Sequence, residues 1–306
     1  MLMTNSTQVS SFTLVAYFDT GRLRYFCVMI LMSLCGLIFF TNMSLIVVIC
    51  MNRSLHEPMY LFLCSLFVNE LYGSTGLFPF LLLQILSDVH TVSASCCFLQ
   101  IYCVYSYSTV EFFSLAVMSY DRYVAICHPL QYNSRMTANK VVTLIVLIWL
   151  LSFLLNVFTL SSIVPLRLCG NTINKVYCDI PSIVKLACSD TRLNNIYGLL
   201  VSTFSVFVPL ILILYTYVRI LQVCFSGSKQ TRQKAVSTCT PHLASLLNFS
   251  FGCVFEVIQN RLNMSFVPNM LRIFLSLYFF TCPPLFNPVM YGLKLSKIRV
   301  TCTFLI

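Results

Sequence analysis

The sequence predicts an all-α membrane protein, a seven-transmembrane helix bundle followed by a short amphipathic C-terminal helix. The first observation is composition, since 58% of the 306 residues are hydrophobic and only 9% are charged. Ordinary soluble domains carry about 25% charged residues, and so few charges cannot cover the surface of a soluble globule. The composition therefore excludes a soluble enzyme, a disordered chain and a small secreted disulfide-rich domain.

The second observation is that seven long stretches are almost free of Asp, Glu, Lys and Arg. A helix needs about 20 apolar residues to cross the hydrocarbon core of a bilayer, and only Glu70 and Glu111 lie deep within these stretches, away from their ends. The stretches are too long and too uniformly apolar for the strands of a membrane β-barrel. We expect one domain over residues 1–306, with spans at about residues 26–51, 58–87, 92–126, 141–164, 194–221, 235–259 and 271–292.

The third observation is the distribution of basic residues, which sets the orientation of membrane helices. With the N-terminus outside the cell, the inner segments carry a net charge of +9 and the outer segments +3. The first span alone disagrees, because Arg22 and Arg24 precede it, but the sum favours an external N-terminus. The overall charge of +10 suits contact with anionic membrane lipid and does not indicate a nucleic-acid partner.

The N-terminal tail carries a glycosylation signal. Asn5 begins the tripeptide Asn-Ser-Thr, an acceptor pattern that also occurs often by chance, and an outer tail agrees with the orientation. The first 20 residues lack a basic start followed by an apolar core. We therefore expect no cleavable signal peptide and expect the first span to act as the insertion signal.

The third span ends in the motif MSYDRYVAICHPLQY at residues 118–132. An acid beside an arginine at the cytoplasmic mouth of a helix can hold the arginine in a charge-assisted hydrogen bond and release it when helices move. Taken alone, the Asp121–Arg122 pair could equally mark the border of the membrane.

Three more motifs remove that ambiguity. They are PMYLFLCSL at residues 58–66, KAVSTCTPHL at residues 234–243 and PPLFNPVMYGLK at residues 283–294. Together with residues 118–132 they resemble, in order, the olfactory (odorant) receptor family of rhodopsin-like G-protein-coupled receptors. The resemblance runs from residue 42 to about residue 297, and VNELYGSTGLFPFLL at residues 68–82 is most similar to the fish-type branch.

The resemblance implies a receptor of the cell membrane that is not an enzyme and needs no cofactor. A small odorant would bind in the outer half of the bundle, and a stimulatory heterotrimeric G protein would bind the basic inner surface by a helix-in-groove mode. Pro288 would kink the seventh span and let it bend, although such a kink can also serve packing alone. The residues implied in activation and G-protein coupling are Asp121, Arg122, Tyr123, Tyr217, His242, Asn287, Pro288 and Tyr291.

Glu70 and Glu111 are the only acids deep in the spans. A lone carboxylate there is expensive and is usually paired or protonated. The resemblance implies that both lie near Asn287 and Asn42. Because two adjacent carboxylates cannot both stay charged without a cation, we expect either one shared proton or a bound sodium ion.

Cysteines at the outer end can form disulfides, since that side of the membrane is oxidising. The sequence alone does not fix the connectivity. Family spacing implies that Cys97 pairs with Cys178 and that Cys169 pairs with Cys188, which leaves Cys96 as a free thiol. The two bridges would fold the second outer loop into a lid above the bundle.

Candidate ligand-binding residues recur at helical spacing below the outer end of the third span, with weaker candidates on the fifth and sixth. An apolar pocket with a few polar groups suits a small odorant, although the same residues could serve ordinary helix packing. The candidates are Tyr105, Ser108, Thr109, Phe112, Ser202, Ser205, Val206, Ser250, Phe251 and Val254.

Arg261, at the outer end of the sixth span, is a further candidate. Its guanidinium could bind the carboxylate of an acidic odorant. It could equally reach towards lipid headgroups or pair with Glu256.

Two other functions stay open at this point. A rhodopsin-like receptor for a non-olfactory metabolite would have the same fold. A small transporter or channel would show two related halves with broken helices, and the sequence has no matching halves. An intramembrane enzyme is weaker still, because the chain has no HExxH zinc motif and no glycine-rich phosphate loop.

Overall fold

The structure is a computed structural model that describes residues 9–17, 23–226, 229–261, 267 and 269–294. In this part of the chain seven helices are long and apolar enough to cross a membrane, which confirms the predicted fold class. They are α1 (Leu23–Met51), α2 (Pro58–Leu86), α3 (Ala94–Cys127), α4 (Ala138–Ile163), α5 (Arg192–Ser226), α6 (Lys229–Arg261) and α7 (Asn269–Lys294). The glycosylation candidate Asn5 and the predicted C-terminal amphipathic helix lie outside the described residues.

Capping and proline chemistry fix several helix boundaries. Pro58 occupies the first turn of α2, where its missing N–H leaves no hydrogen bond unmade. The side chain of Ser93 caps α3 by accepting from the backbone N–H of Cys96. Thr137 caps α4 in the same way through the backbone N–H of Lys140.

The fifth helix is not regular along its length. A π-helical turn at Thr203–Phe207 interrupts α5 just before Pro209, whose ring cannot continue the hydrogen-bond ladder. At their inner ends α5 and α6 run beyond the predicted spans, to Ser226 and from Lys229. For α6 the difference arises because the predicted span begins after Lys234, whereas the helix continues through Lys234 and Arg232 to Lys229.

A small sheet covers one end of the bundle. Strand β1 (Ser11–Leu14) lies between β2 (Thr91–Ser93), to which it is antiparallel, and β3 (Thr172–Ile173), to which it is parallel. Phe12 and Leu14 of β1 are fully buried, at 0% and 1% exposure. The tail, the α2–α3 loop and the α4–α5 loop therefore form one packed cap at the end of the bundle that the charge distribution predicts to be outside, and this end is called the outer end below.

The helices separate a packed interior from an apolar outer surface. α3 is central and packs against α2, α4, α5 and α6. The outward sides of the other helices expose large side chains, such as Phe40 at 70% and Leu214 at 65%. A chain in water would bury such groups, so these sides face lipid.

Candidate functional site

An aromatic cluster fills the outer half of the bundle beneath the cap. Tyr105 and Phe112 of α3 and Val206 of α5 pack into one hydrophobic cluster, and α6 contributes Phe249 and Cys253. From above, the cluster is closed by Val176 and Tyr177 of the second outer loop and bounded by Phe279 and Phe280 of α7. Three of the candidate ligand-binding residues are thus brought together.

The remaining candidates on α3 satisfy their polar groups within their own helix, whereas the two serines on α5 do not. The Ser108 and Thr109 hydroxyls donate to the carbonyls one turn earlier, at 2.9 and 2.8 Å. Asn156 of α4 also donates to the Thr109 hydroxyl, at 3.3 Å. Ser205 is buried on α5 and its hydroxyl has no hydrogen-bond partner among the described residues, whereas Ser202 is exposed.

The candidates on α6 are divided between two faces of the helix. Phe251 and Val254 are 55% and 56% exposed, so they lie on the lipid side of α6 and not in the α3 cluster, and Phe251 packs edge-to-face against Tyr278 of α7. Ser250 is half-buried, with a buried hydroxyl. The residues that α6 directs inwards are Phe249 and Cys253, which sequence reasoning missed because large apolar side chains occur on more than one face of this helix.

The second outer loop is held over the cluster by covalent and polar contacts. Both disulfides that the resemblance implied are present, with Cα–Cα distances of 5.5 Å for Cys97–Cys178 and 5.4 Å for Cys169–Cys188. The side chain of Gln100 accepts from the backbone N–H of Cys178 at 2.8 Å. The loop is therefore tied to the outer end of α3 at this point.

A buried ionic cluster, the outer triad of Lys175, Asp179 and Glu256, ties the loop to α6. Lys175 Nζ lies 2.7 Å from Asp179 Oδ2 and 3.0 Å from Glu256 Oε2. Burial acts to lower the pKa of Lys175, but the two carboxylates outweigh it and the pKa is raised. Lys175 is therefore an ammonium cation across the physiological pH range.

The side chain of Arg261 lies outside the described side chains. Its proposed partner Glu256 already accepts a hydrogen bond from Lys175. Sequence reasoning missed Lys175, since nothing in a loop sequence distinguishes a buried lysine from a solvated one.

The two glutamates meet in the middle of the bundle. Asn287 Nδ2 lies 2.5 Å from Glu70 Oε1 and 3.2 Å from Glu111 Oε1. Tyr107 donates its hydroxyl to Glu70 at 2.9 Å, and Asn69 donates to Glu111 at 2.9 Å. The four carboxylate oxygens therefore each accept a hydrogen bond from a neutral donor, as buried carboxylates require.

Asn42 takes no part in these contacts. Its amide donates to the carbonyls of Ile38 and Pro284, both at 2.9 Å, and so joins α1 to α7. The Oδ1 atom of Asn287 accepts from Ser245 of α6 at 2.7 Å. Pro288 and Tyr291, the next α7 candidates, are buried.

The inner end of α3 holds the predicted acid–arginine pair. Arg122 donates to Asp121 Oδ2, and Tyr132, the first residue of the short helix Tyr132–Arg135, donates to Asp121 Oδ1 at 2.8 Å. Asp121 is fully buried, and the Arg122 side chain is 13% exposed. Tyr123, the next residue of the motif, lies within hydrogen-bond distance of His128, at 3.0 Å.

His242 joins three helices nearby. Its Nδ1 lies 2.7 Å from the Tyr217 hydroxyl of α5, and its Nε2 lies 2.8 Å from the Leu115 carbonyl of α3. A neutral imidazole that donates from Nε2 and accepts at Nδ1 satisfies both contacts. The buried histidine therefore links α6 to α3 and α5 at the level where the inner ends of these helices meet.

Comparison with known proteins identifies the relatives of this chain. The family model described as "Olfactory receptor" matches residues 26–306. Olfactory receptor 11A1 of Homo sapiens is 32% identical over 303 residues, which cover 98% of this chain and 94% of the relative. Olfactory receptor 10A6 of Homo sapiens is 34% identical over 302 residues, with coverage of 96% and 94%.

One solved structure supports the fold. The crystal structure of squid rhodopsin is similar with a TM-score of 0.76 and 16% sequence identity, and the match covers 95% of this chain and 89% of that one. The seven-helix architecture is therefore shared with rhodopsin.

Proposed function

The chain belongs to the olfactory receptor family, and from this premise we propose how it detects and reports its ligand. It is an odorant receptor of the cell membrane that signals through G proteins, and it is not an enzyme. The ligand binds in the outer aromatic cluster around Tyr105, Phe112 and Val206. Binding shifts the helices towards an arrangement whose inner face accepts a stimulatory G protein.

The position of Phe249 is the observation that carries this proposal. Its ring centroid lies 4.9 Å from that of Phe112 in the ligand cluster and 6.0 Å from that of Tyr107. Tyr107 in turn donates to Glu70, which accepts from Asn287 of α7. A ligand that moves Phe112 thus disturbs a continuous buried chain of contacts that joins α3, α6 and α2 to α7.

A cyclic-AMP assay in transfected cells with an odorant panel tests the function, and a matched pair of variants tests the route. We expect Phe249→Ala to reduce the maximal ligand response at equal surface expression. Phe251→Ala removes the same ring from the lipid face of the same helix and should leave the response unchanged. Equal effects of the two variants would contradict the route, and solute flux without cyclic AMP would instead favour a transporter.

We propose that the N-terminus lies outside the cell. The two disulfides and the strand β1 lie at the same end of the bundle, because β1 pairs with β3 of the disulfide-linked loop. Disulfides persist on the oxidising side of the membrane. An N-terminal epitope tag should therefore be labelled by antibody on intact cells. Labelling only after permeabilisation would show that the N-terminus lies inside the cell.

We propose that Glu70 and Glu111 together hold one monovalent cation. Sodium suits the oxygen atoms that surround the two carboxylates. Asn69 Oδ1 and Ser114 Oγ are buried and lack hydrogen-bond partners among the described residues, and oxygen atoms of this kind suit a hard cation. Purified receptor should melt at a higher temperature in sodium chloride than in choline chloride, and Glu111→Gln should abolish the difference. Equal melting in the two salts would favour the shared proton.

A further inference from the structure

The outer triad carries an excess of negative charge in a buried place. It combines two carboxylates with one ammonium, and the side chains of Lys175, Asp179 and Glu256 are only 7%, 4% and 15% exposed. Charges withdrawn from water are stable only when they are compensated. One further positive charge would make the cluster neutral.

The two acids of the triad differ in how far they are satisfied. Asp179 Oδ1 accepts from the backbone N–H of Ser182 at 3.1 Å, and its Oδ2 lies 2.7 Å from Lys175 Nζ. Glu256 binds Lys175 through Oε2. Asp179 Oδ2 and Glu256 Oε1 are both buried without a hydrogen bond among the described residues, and the Tyr177 hydroxyl interacts with the Glu256 carboxylate. Of these two oxygens, Glu256 Oε1 on α6 is therefore the one without a cationic partner in the described part of the chain.

The triad borders both the ligand cluster and the outside. Tyr105, at the top of the cluster, interacts electrostatically with Asp179 and Glu256, and Lys175 Nζ lies 5.4 Å from the centre of the Tyr177 ring. Lys175 also lines a small cavity of about 40 Å³ together with Asn174, Gln259 and Ser276. This cavity, which neither acid of the triad lines, has room for a group of the size of one water molecule.

We propose that the receptor takes a ligand with a primary amine, whose ammonium group binds Glu256 Oε1 while its apolar body packs on the aromatic cluster. The inference rests on the proposed ligand site and names the chemical class that enters it. The ligand's charge makes the triad a neutral set of two cations and two anions. The face of Tyr177 adds a cation–π contact, which is favourable for a desolvated ammonium.

A carboxylate ligand fits the triad poorly. Lys175 already has two carboxylates within 3.0 Å, and a third would add negative charge to a cluster that is already negative. A carboxylate ligand would instead need Arg261 as its partner, and the test below includes carboxylic acids of the same chain length for that reason.

The test uses straight-chain primary amines of four to eight carbons, with the alcohols and carboxylic acids of the same lengths. Binding is read as thermal stabilisation of the purified full-length receptor in lipid nanodiscs, and signalling as cyclic AMP in cells. We expect amines to stabilise the receptor more than alcohols and acids of equal length. Glu256→Gln should reduce amine potency by about ten- to a hundred-fold, as expected for the loss of a hydrogen bond to a charged group.

Two further variants separate the site from general effects. Lys175→Gln should raise amine potency, because it removes the cation that competes for Glu256. Asp190→Asn removes an acid of the same loop that is 73% exposed and should leave amine potency unchanged. The proposal is overturned if no amine binds, if acids bind better than amines, or if Glu256→Gln and Asp190→Asn behave alike.

Failure of this inference can be told from failure of the receptor function. If alcohols or acids raise cyclic AMP and amines do not, the chain is an odorant receptor and the assignment of amines is wrong. If amines bind in a Glu256-dependent way but produce no cyclic AMP, the assignment of amines as ligands is supported and the proposed signalling is wrong.

Discussion

Gly73 of α2 offers a stringent test of packing around the two glutamates. A Cβ atom at this position would lie 2.4, 2.6 and 2.9 Å from three atoms of the Tyr107 ring, all well inside ordinary contact distance. The ring is fully buried against Phe249, Phe279 and Phe280 and cannot move freely. In Gly73→Ala it must shift by about 1 Å, and its hydroxyl then loses Glu70.

The expected cost combines three effects. Overpacking a core costs about 1–3 kcal/mol, and loss of a hydrogen bond to a charged group costs about 1.5–3 kcal/mol. The better helix propensity of alanine offsets this destabilisation by up to about 1 kcal/mol. Gly73→Ala should therefore destabilise the receptor by about 1.5–6 kcal/mol, which lowers the melting temperature by about 3 °C or more.

The assay is thermal unfolding of the purified receptor, with a control inside the same molecule. Gly36 of α1 has no atom within 4 Å of an added Cβ, so Gly36→Ala should leave the melting temperature unchanged or raise it slightly. In a Tyr107→Ala background the cost of Gly73→Ala should largely disappear, giving a coupling energy of at least about 1 kcal/mol. Equal melting of Gly73→Ala and Gly36→Ala would refute the reasoning.

Three further predictions concern the inner end and the loop. Asp121→Asn weakens the hold on the adjacent arginine, so ligand-independent cyclic AMP should rise several-fold, and an unchanged basal level would argue against a latch. His242→Ala leaves a tyrosine hydroxyl and a carbonyl without their partner, and each loss costs about 1–3 kcal/mol. Thermal unfolding should therefore show a lower melting temperature. Leu243 is 37% exposed, so Leu243→Ala should melt near the wild-type temperature. Cys169→Ser opens a loop of 19 residues at a cost of about 3 kcal/mol, so surface expression should fall, unlike that of Cys96→Ser.

The spans were predictable because charge is excluded from hydrocarbon, and that rule acts on sequence directly. Which face of α6 points into the bundle was not predictable from the sequence, since lipid and the protein interior both accept apolar side chains. Phe251 and Phe249 are chemically identical and two residues apart, yet one is 55% exposed and the other 0%. Only the packing of α6 against α3 and α7 distinguishes them.

The polar residues also differ in whether their positions could be predicted from the sequence. The meeting of Glu70 and Glu111 near Asn287 was implied by the resemblance, because the motifs fix which helices face each other. The burial of Lys175 was not, since it depends on Asp179 of its own loop and on Glu256 of α6 arriving at one place. The fish-type branch stays a prediction, as the compared relatives are human.

The charges along the bundle axis connect the two cation proposals. Asp121 and Arg122 compensate each other at the inner end, but no described lysine or arginine forms an ion pair with Glu70 or Glu111, and the outer triad has one carboxylate in excess. Cations bound at these two levels repel each other through a medium of low dielectric constant, and this coupling is reciprocal. Sodium in the medium should therefore lower the potency of an amine more than that of the matched alcohol; an amine-to-alcohol potency ratio that is the same in sodium and in choline would show that the two levels do not interact electrostatically.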